Sequence, residues 1–167
     1  MTQHATFRML ILCLMLVLLC SCGGGGVIDG NGGNQNSTWN VGSTRYTFNI
    51  VGAAIYPSNN HLHMIFHNTT SSYPNADVNP GDASAIKVGE PAILDEEYDI
   101  ELDIDSDKYY LNDPDSPCEL LFTTLEMTTG GKIAGTITGT LFADLDEDGT
   151  RESYPLSASF VGVFTIM

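Results

Sequence analysis

Most of this chain beyond residue 38 alternates apolar and polar residues with a period of two. The clearest case is Tyr98–Asp105, where Tyr98, Ile100, Leu102 and Ile104 alternate with acidic residues. A period of two puts successive side chains on opposite faces of a β-strand, whereas an amphipathic helix needs a period of 3.6. The pattern therefore predicts strands with one buried face and excludes a mainly helical fold.

The same alternation recurs in further segments that are separated by polar turns: Thr44–Val51, His61–His67, Lys132–Phe142 and Glu152–Ile166. In Thr44–Val51 the even positions are expected to share the buried face. About seven or eight short strands predict an all-β fold, an antiparallel β-sandwich of immunoglobulin-like or jelly-roll-like type. One apolar face per strand is typical of antiparallel sheets with one solvated side.

The positions of proline and glycine add detail to the predicted strands and loops. Gly135 and Gly139 lie on the apolar face of one strand, where glycine marks a bend or close sheet packing. Pro155 indicates an edge strand or the start of a strand. Residues 68–84 are rich in Asn, Ser, Pro and Gly and predict a long loop.

Residues 116–131 fit two structures. Ser116–Glu119 has the form of a helix capping box with Pro at the first helical position, and Gly130–Gly131 could end that helix. Against this, Phe122–Thr124 consists of residues that prefer strands. We favour a strand followed by a hairpin turn at Thr129–Gly131.

The N-terminal segment has the three zones of an export signal. Arg8 lies in a short zone without acids, the apolar run Met9–Leu19 follows, and small residues and a cysteine end the segment. An apolar run of about 11 residues is too short for a membrane-spanning helix, which needs roughly 20.

The end of that segment, Leu19-Cys20-Ser21-Cys22, resembles the lipobox of bacterial lipoproteins. An apolar residue lies three positions before Cys22 and a small residue lies directly before it. The resemblance implies cleavage before Cys22, a diacylglycerol on its sulfur and a lipid anchor in the membrane. Gly23, rather than Asp, after the cysteine implies the outer membrane in a Gram-negative cell. The alternative is an ordinary secretory signal, cut near Ser21, that releases a soluble protein.

Three parts are therefore predicted: a signal peptide at 1–21, a lipidated cysteine and tether at 22–38, and a β-sandwich domain at 39–167. The tether is rich in Gly and Asn, a composition that cannot bury a core and behaves as a flexible coil. Trp39, the first large aromatic residue after it, is expected to mark the edge of the domain.

The charge of the chain is strongly negative. Its formal net charge is −15, and loss of Arg8, the only charged residue in 1–21, changes this to −16. Such a surface repels nucleic acid and anionic lipid headgroups, and it suits cations, basic partners or simple solubility. Cys118 is the only cysteine after Cys22, so the domain has no intramolecular disulfide.

A second resemblance concerns Leu120–Phe142. Its centre, Gly130–Leu141, resembles the "GGKIsGTFsGTL" hairpin of small uncharacterised β-rich lipoproteins of Bacteroidetes-like bacteria. Ile137 stands where that pattern usually has an aromatic residue. Because the family carries no assigned activity, the resemblance implies a fold and a location only.

The segment Asp144–Glu152 resembles a D-x-D-x-D-G calcium loop, in which acids at positions 1, 3 and 5 converge on one ion and Gly at position 6 permits the turn. Pro155 occupies position 12, where an EF-hand needs a bidentate Glu, so an EF-hand is excluded. A looser calcium loop and a plain hairpin turn at Asp148-Gly149 both remain open. The candidate calcium ligands are Asp144, Asp146, Asp148, Thr150 and Glu152.

Three histidines form a candidate transition-metal site. His61, His63 and His67 share one face of a predicted strand, and a His-x-His pair on a strand points two imidazoles the same way. No further ligand has a diagnostic spacing, and a solvated outer face explains the same residues.

An acidic run follows, which is either a solvated face or a weak binding surface for cations or basic groups. Like charges that lie close on one strand face are unfavourable unless they are solvated or neutralised. Its members are Asp95, Glu96, Glu97, Asp99, Glu101, Asp103, Asp105 and Asp107.

The sequence contains no nucleophile elbow, phosphate loop or dinucleotide fingerprint. It predicts a lipid-anchored, acidic β-sandwich at the outer membrane or cell surface. The favoured function is a non-catalytic binding or structural module for an unknown glycan or protein ligand, with calcium as a candidate stabilising ion. The alternative is a metal-dependent enzyme that uses the face of His61, His63 and His67.

Overall fold

A computed structural model describes residues 37–96, 98–106, 108–143 and 151–166. The predicted signal peptide, Cys22 and most of the predicted tether lie outside these residues. So do Glu97, Asp107 and the greater part of the candidate calcium loop. In the described part of the chain, no helix is long and apolar enough to cross a membrane.

The described residues form eleven strands and one short 3₁₀ turn at Ala83–Ala85, so the prediction of an all-β fold is confirmed. There are more strands than the seven or eight expected, because several are only three to five residues long. The strands are β1 Ser37–Val41, β2 Thr44–Phe48, β3 Ile50–Tyr56, β4 His61–His67, β5 Asn75–Asp82, β6 Pro91–Leu94, β7 Ile100–Asp103, β8 Tyr109–Leu111, β9 Cys118–Leu125, β10 Lys132–Ala143 and β11 Ser153–Ile166.

All eleven strands belong to one sheet, in the order β2-β1-β11-β3-β4-β5-β7-β8-β10-β9-β6. Strands β10 and β11 also pair with each other. This pairing closes a hydrogen-bonded ring of seven strands, β11-β3-β4-β5-β7-β8-β10. The sheet is mixed, because β11 pairs with β3 in parallel, from Val163 opposite Gly52 to Ile166 opposite Ile55. Alternation along a strand reports its buried face and not its neighbours, so the sequence did not predict the parallel pair.

Strand β11 is long enough to have two neighbours on one side. Its first half pairs with β1, with Leu156 opposite Val41, and its second half continues past β1 to pair with β3. Pro155 lies near the start of this strand, opposite Thr140 of β10. Of the two interpretations of Pro155, the strand start is therefore right and the edge strand is wrong.

The core is centred on edge-to-face aromatic contacts between distant strands. The Trp39 ring centroid lies 5.0 Å from that of Phe66 and 5.8 Å from that of Phe48. The Phe160 ring lies 5.8 Å from Phe66 and 5.7 Å from Phe122. Such pairs contribute about 0.5–1.5 kcal/mol each beyond the burial of their area. They connect β1, β2, β4, β9 and β11, and they place Trp39 within the core.

The predicted strand Thr44–Val51 is divided into β2 and β3 at Asn49. The backbone N–H of Asn49 donates to Asn68 Oδ1 at 3.1 Å, and this side-chain contact interrupts the backbone ladder. The buried position is Phe48 before the break and Val51 after it. The buried face therefore changes from even to odd positions, which the prediction of one continuous strand did not include.

The predicted loop 68–84 contains strand β5, which pairs with both β4 and β7. Only Ala76 and Val78 face the core, and both are completely buried. Pro80 and Gly81 near its end are turn-forming residues. With two small or medium apolar residues and a proline, β5 has too little alternation to be recognised in the sequence.

The preference for a strand over a helix after Ser116 is confirmed, since β9 begins at Cys118 and is joined to β10 by a turn that contains Gly130 at φ 80°. The close packing expected at two glycines is also observed. A Cβ on Gly135 would lie 2.3 Å from the Leu121 carbonyl oxygen, and one on Gly139 would lie 2.5 Å from Cys118 Sγ.

Candidate functional site

The three histidines lie on β4, whose bounds match the predicted segment. Leu62, Met64 and Phe66 fill the inward face and are completely buried, so the histidines point to the other side of the sheet. They differ in exposure: His61 is exposed, His67 is half-buried, and His63 retains only 9% of its surface.

His63 is buried because residues on the two neighbouring strands cover it. Its Nε2 lies 3.0 Å from Asp77 Oδ1 on β5. The ring centroid of Tyr56 on β3 lies 5.7 Å from the imidazole. His63 Nδ1 is buried and has no hydrogen-bond partner among the described residues. Because a buried polar atom normally has a partner, this nitrogen makes the His63 site unusual.

A β-bulge contributes to this arrangement. Between Leu62 and Met64 the register of β4 on β5 shifts, since Leu62 lies opposite Gly81 but Met64 lies opposite Val78. His63 therefore lies beside the extra residue of β5. Bulges redirect side chains and are over-represented beside functional sites.

Asp77 also acts on Tyr56 electrostatically. Burial raises the pKa of the Tyr56 hydroxyl, and the negative charge of Asp77 raises it further. Asp77 itself keeps 35% of its side chain exposed. The group Tyr56, His63 and Asp77, here called the His63 cluster, therefore combines a positioned carboxylate with a partly exposed aromatic ring.

The structure does not bring His61, His63 and His67 together around one metal position. Among the described residues, no group of three His, Cys, Asp or Glu side chains is placed to hold a metal ion. His63 Nε2 is hydrogen-bonded to Asp77 and its Nδ1 is buried, so a metal could reach this ring only after it rotated. His67 Nδ1 lies 3.5 Å from the Asn68 carbonyl oxygen.

Of the candidate calcium loop, residues 144–150 lie outside the described part and only its base can be placed. The Ala143 N–H donates to the Glu152 carbonyl oxygen at 3.0 Å, which closes the β10–β11 hairpin. Arg151 Nη1 lies 2.8 Å from Asp113 Oδ2, so the base is also tied to the turn after β8.

The Glu152 carboxylate, a predicted calcium ligand, accepts a hydrogen bond from the Tyr154 hydroxyl. This contact raises the pKa of Tyr154 to about 12, since the carboxylate favours the protonated phenol. The Tyr154 ring packs edge-to-face on Tyr110 at 5.2 Å. To bind an ion, Glu152 would therefore have to share its carboxylate with Tyr154 or release it.

The acidic run is less regular than predicted. Strand β7 covers only Ile100–Asp103, and Tyr98 lies before it, 46% exposed and at φ 73°, so the prediction that Tyr98 faces the core is wrong. The Asp99 carboxylate turns back to accept the Glu96 N–H at 3.0 Å. Partial burial raises the pKa of Asp99. Glu101 and Asp103 do share the outer face, as expected.

Asn112 holds this acidic segment against the core. Asn112 is 2% exposed and its side-chain amide makes three hydrogen bonds. Oδ1 accepts the Ile100 N–H at 2.8 Å, while Nδ2 donates to the carbonyl oxygens of Glu96 at 2.8 Å and Leu94 at 3.3 Å. A single side chain therefore satisfies the backbone on both sides of the loop between β6 and β7.

Cys118 is completely buried, and its thiol lies 3.5 Å from the Thr140 carbonyl oxygen. Burial raises the pKa of this thiol, although the contact with Thr140 opposes the shift. Since the thiolate is the reactive form of cysteine, this environment suits a structural residue and not a nucleophile.

Comparison with protein-family models, curated proteins and solved structures finds no match to this chain. A function for this chain is therefore argued from its own residues. The His63 cluster is the described site that combines a buried polar atom without a partner, a positioned carboxylate and an irregular backbone.

Proposed function

We propose that this protein is a lipid-anchored module of the bacterial cell envelope, held in the outer membrane through Cys22, with a non-catalytic binding or structural function. For its finer architecture we propose a β-sandwich built from this mixed sheet, since the parallel β11–β3 pair rules out a purely antiparallel one. The Phe66 ring on β4 packs against Trp39 on β1 and Phe160 on β11, which supports a sheet that curves around a shared core.

The lipobox-like sequence carries this proposal. Cys22 precedes the first residue of β1, Ser37, by 15 positions. At about 3.3–3.6 Å per residue, a fully extended chain of that length reaches at most about 54 Å. A domain attached in this way can stay outside the headgroup layer while remaining at the membrane surface.

The anchor is tested in the full chain, expressed in a Gram-negative host. Wild type is expected to fractionate with the outer membrane, and its N-terminal peptide should carry the mass of a diacylglycerol on Cys22. Cys22→Ala should abolish the modification and leave the protein unprocessed, whereas Cys20→Ala should behave as wild type. Recovery of an unmodified soluble protein that begins near Ser21 would disprove the lipid anchor.

We further propose that calcium stabilises the β10–β11 hairpin through Asp144–Glu152. A ligand that binds only the folded state raises stability by about 2.7 kcal/mol at a hundredfold excess over its Kd. The full chain in detergent should therefore melt at a higher temperature in millimolar calcium than in chelator. Combined Asp146→Ala and Asp148→Ala should remove this shift, while combined Glu90→Ala and Asp115→Ala should keep it. Equal melting temperatures in calcium and chelator would reduce the segment to a turn.

A further inference from the structure

Among the described strands, β2 and β6 form the two ends of the sheet. An edge strand exposes backbone N–H and C=O groups that can pair with another chain, and proteins block such edges with proline, charge or a covering segment. Strand β6 is only four residues long and begins with Pro91. Strand β2 contains no proline, and its Thr, Tyr and Phe residues favour strands. It therefore needs another kind of protection.

The hairpin of β1 and β2 shows which backbone groups of β2 point outward. Val41 and Thr44 lie opposite each other on either side of a two-residue turn, so they form a hydrogen-bonded pair. Hydrogen-bonded and non-hydrogen-bonded pairs alternate along an antiparallel ladder. Arg45 and Thr47 therefore direct their N–H and C=O groups away from β1, toward the open edge.

The side chain of Asn68 covers part of this edge. Its Nδ2 donates to the Thr47 carbonyl oxygen at 3.2 Å, and its Oδ1 accepts the Asn49 N–H at 3.1 Å. A parallel neighbouring strand would bond the same two backbone groups through the N–H and C=O of one residue. The side-chain amide of Asn68 therefore takes the place of a backbone peptide at the edge of β2.

A second pair of hydrogen bonds holds Asn68 in position. The Thr69 N–H donates to Asn49 Oδ1 at 3.0 Å, and Asn49 Nδ2 lies 3.2 Å from Thr69 Oγ1. Four hydrogen bonds thus fix the segment after β4 against the end of β2. Asn49, Asn68 and Thr69 are here called the Asn68 clasp.

We propose that the Asn68 clasp is an edge guard, which prevents β2 from pairing with β2 of a second copy of this chain. Negative charge does not provide that protection, because residues 37–49 contain no Asp or Glu although the net charge of the chain is −15. In an antiparallel pair of two β2 strands centred on Tyr46, Arg45 would lie opposite Thr47, so like charges would not meet. The guard uses residues of the domain alone and does not depend on the lipid anchor.

The test measures self-association of the full chain by sedimentation equilibrium in a density-matched detergent. Wild type should remain monomeric. Asn68→Ala should form a dimer with a Kd at least about tenfold lower, since β2 no longer has to release two hydrogen bonds before it pairs. Hydrogen exchange of the Arg45 and Thr47 amides should slow in that dimer, because pairing of the backbone protects them.

The matched control is Asn75→Ala, whose Nδ2 donates to the Ser72 carbonyl oxygen at 2.9 Å and not to β2, and which should remain monomeric. Adding Thr47→Pro to Asn68→Ala should restore the monomer, since proline removes an N–H from the open edge. If Asn68→Ala fails to fold, Asn68→Asp keeps the acceptor for the Asn49 N–H but loses the donor to Thr47.

A monomeric Asn68→Ala protein would reduce the clasp to a local corner contact and overturn the proposal. A wild-type dimer that protects the amides of β2, or equal association of Asn75→Ala and Asn68→Ala, would also overturn it. So would association that persists after Thr47→Pro is added. Because lipidation is read out by the mass of the Cys22 peptide, failure of the anchor and failure of the edge guard are distinguishable.

Discussion

Asn112 offers the sharpest test of how the acidic segment is held. Its side chain satisfies the N–H of Ile100 and the carbonyl oxygens of Glu96 and Leu94, and it lies almost completely out of solvent. In Asn112→Ala these backbone groups lose their partner, although the backbone N–H of residue 112 still donates to the Ile100 carbonyl oxygen at 3.3 Å.

The expected cost follows from the number of contacts. A hydrogen bond contributes about 0.5–1.5 kcal/mol net, and a buried donor without a partner costs about 1–3 kcal/mol. The Ile100 N–H has no other route to solvent, since this residue is completely buried. Asn112→Ala is therefore expected to lower the free energy of unfolding by about 3 kcal/mol. Asn112→Leu, which restores the volume but not the polar contacts, should recover little of it.

Urea unfolding measures this change, with an unchanged m-value as the sign that the folded state is otherwise intact. Hydrogen exchange adds a local readout, because the Ile100 amide should lose protection in Asn112→Ala. The control is Asn79→Ala, whose Nδ2 makes one exposed 3.5 Å contact with the Tyr98 carbonyl oxygen, and which should change stability by less than about 0.5 kcal/mol. If the two alanine variants cost the same, the argument from buried hydrogen bonds is wrong.

Two further predictions concern β11. A Cβ on Gly162 would lie 2.4 Å from the Val51 carbonyl oxygen, so Gly162→Ala should separate β11 from β3. Urea unfolding should show a loss of about 2–3 kcal/mol in the free energy of unfolding. A Cβ on Gly52 meets nothing within 4 Å, so the control Gly52→Ala should be nearly neutral. Glu152→Gln should lower the pKa of Tyr154 from about 12 toward 10, as measured by phenolate absorbance. Since the folded state holds the Tyr154 proton more tightly than the unfolded state, the stability that this contact contributes is present below about pH 10 and is lost as the pH rises through about 12. An unchanged Tyr154 titration in Glu152→Gln would contradict the assigned contact.

The sequence predicted those strands whose inward residues are large and evenly spaced. Leu62, Met64 and Phe66 made β4 recognisable, and all three are completely buried. Strand β5 was missed because only Ala76 and Val78 face inward. Periodicity reports burial along a strand, so segments that bury little apolar surface give little signal even when they lie within the sheet.

The same limit explains why the candidate site was only half found. The spacing of the histidines identifies His63, but its partner Asp77 lies on β5, where the sequence predicts a loop. The contact also depends on the bulge between β4 and β5, where Asn79 and Pro80 lie opposite His63 and proline has no N–H to donate to the ladder. Spacing along one strand therefore identified candidate ligands, whereas their true partners lie on neighbouring strands.

The junction with the predicted tether makes the same point for the fold. Strand β1 begins at Ser37, two residues before the predicted domain boundary, and Ser37 is completely buried. Its hydroxyl donates to the Ser159 carbonyl oxygen at 2.9 Å and accepts the Trp39 Nε1–H at 3.0 Å. Because β1 pairs with β2 on one side and β11 on the other, a load applied through the tether would enter the sheet at a strand that is held on both edges. A small polar residue that resembles linker in composition thus completes the hydrogen bonding of the central tryptophan.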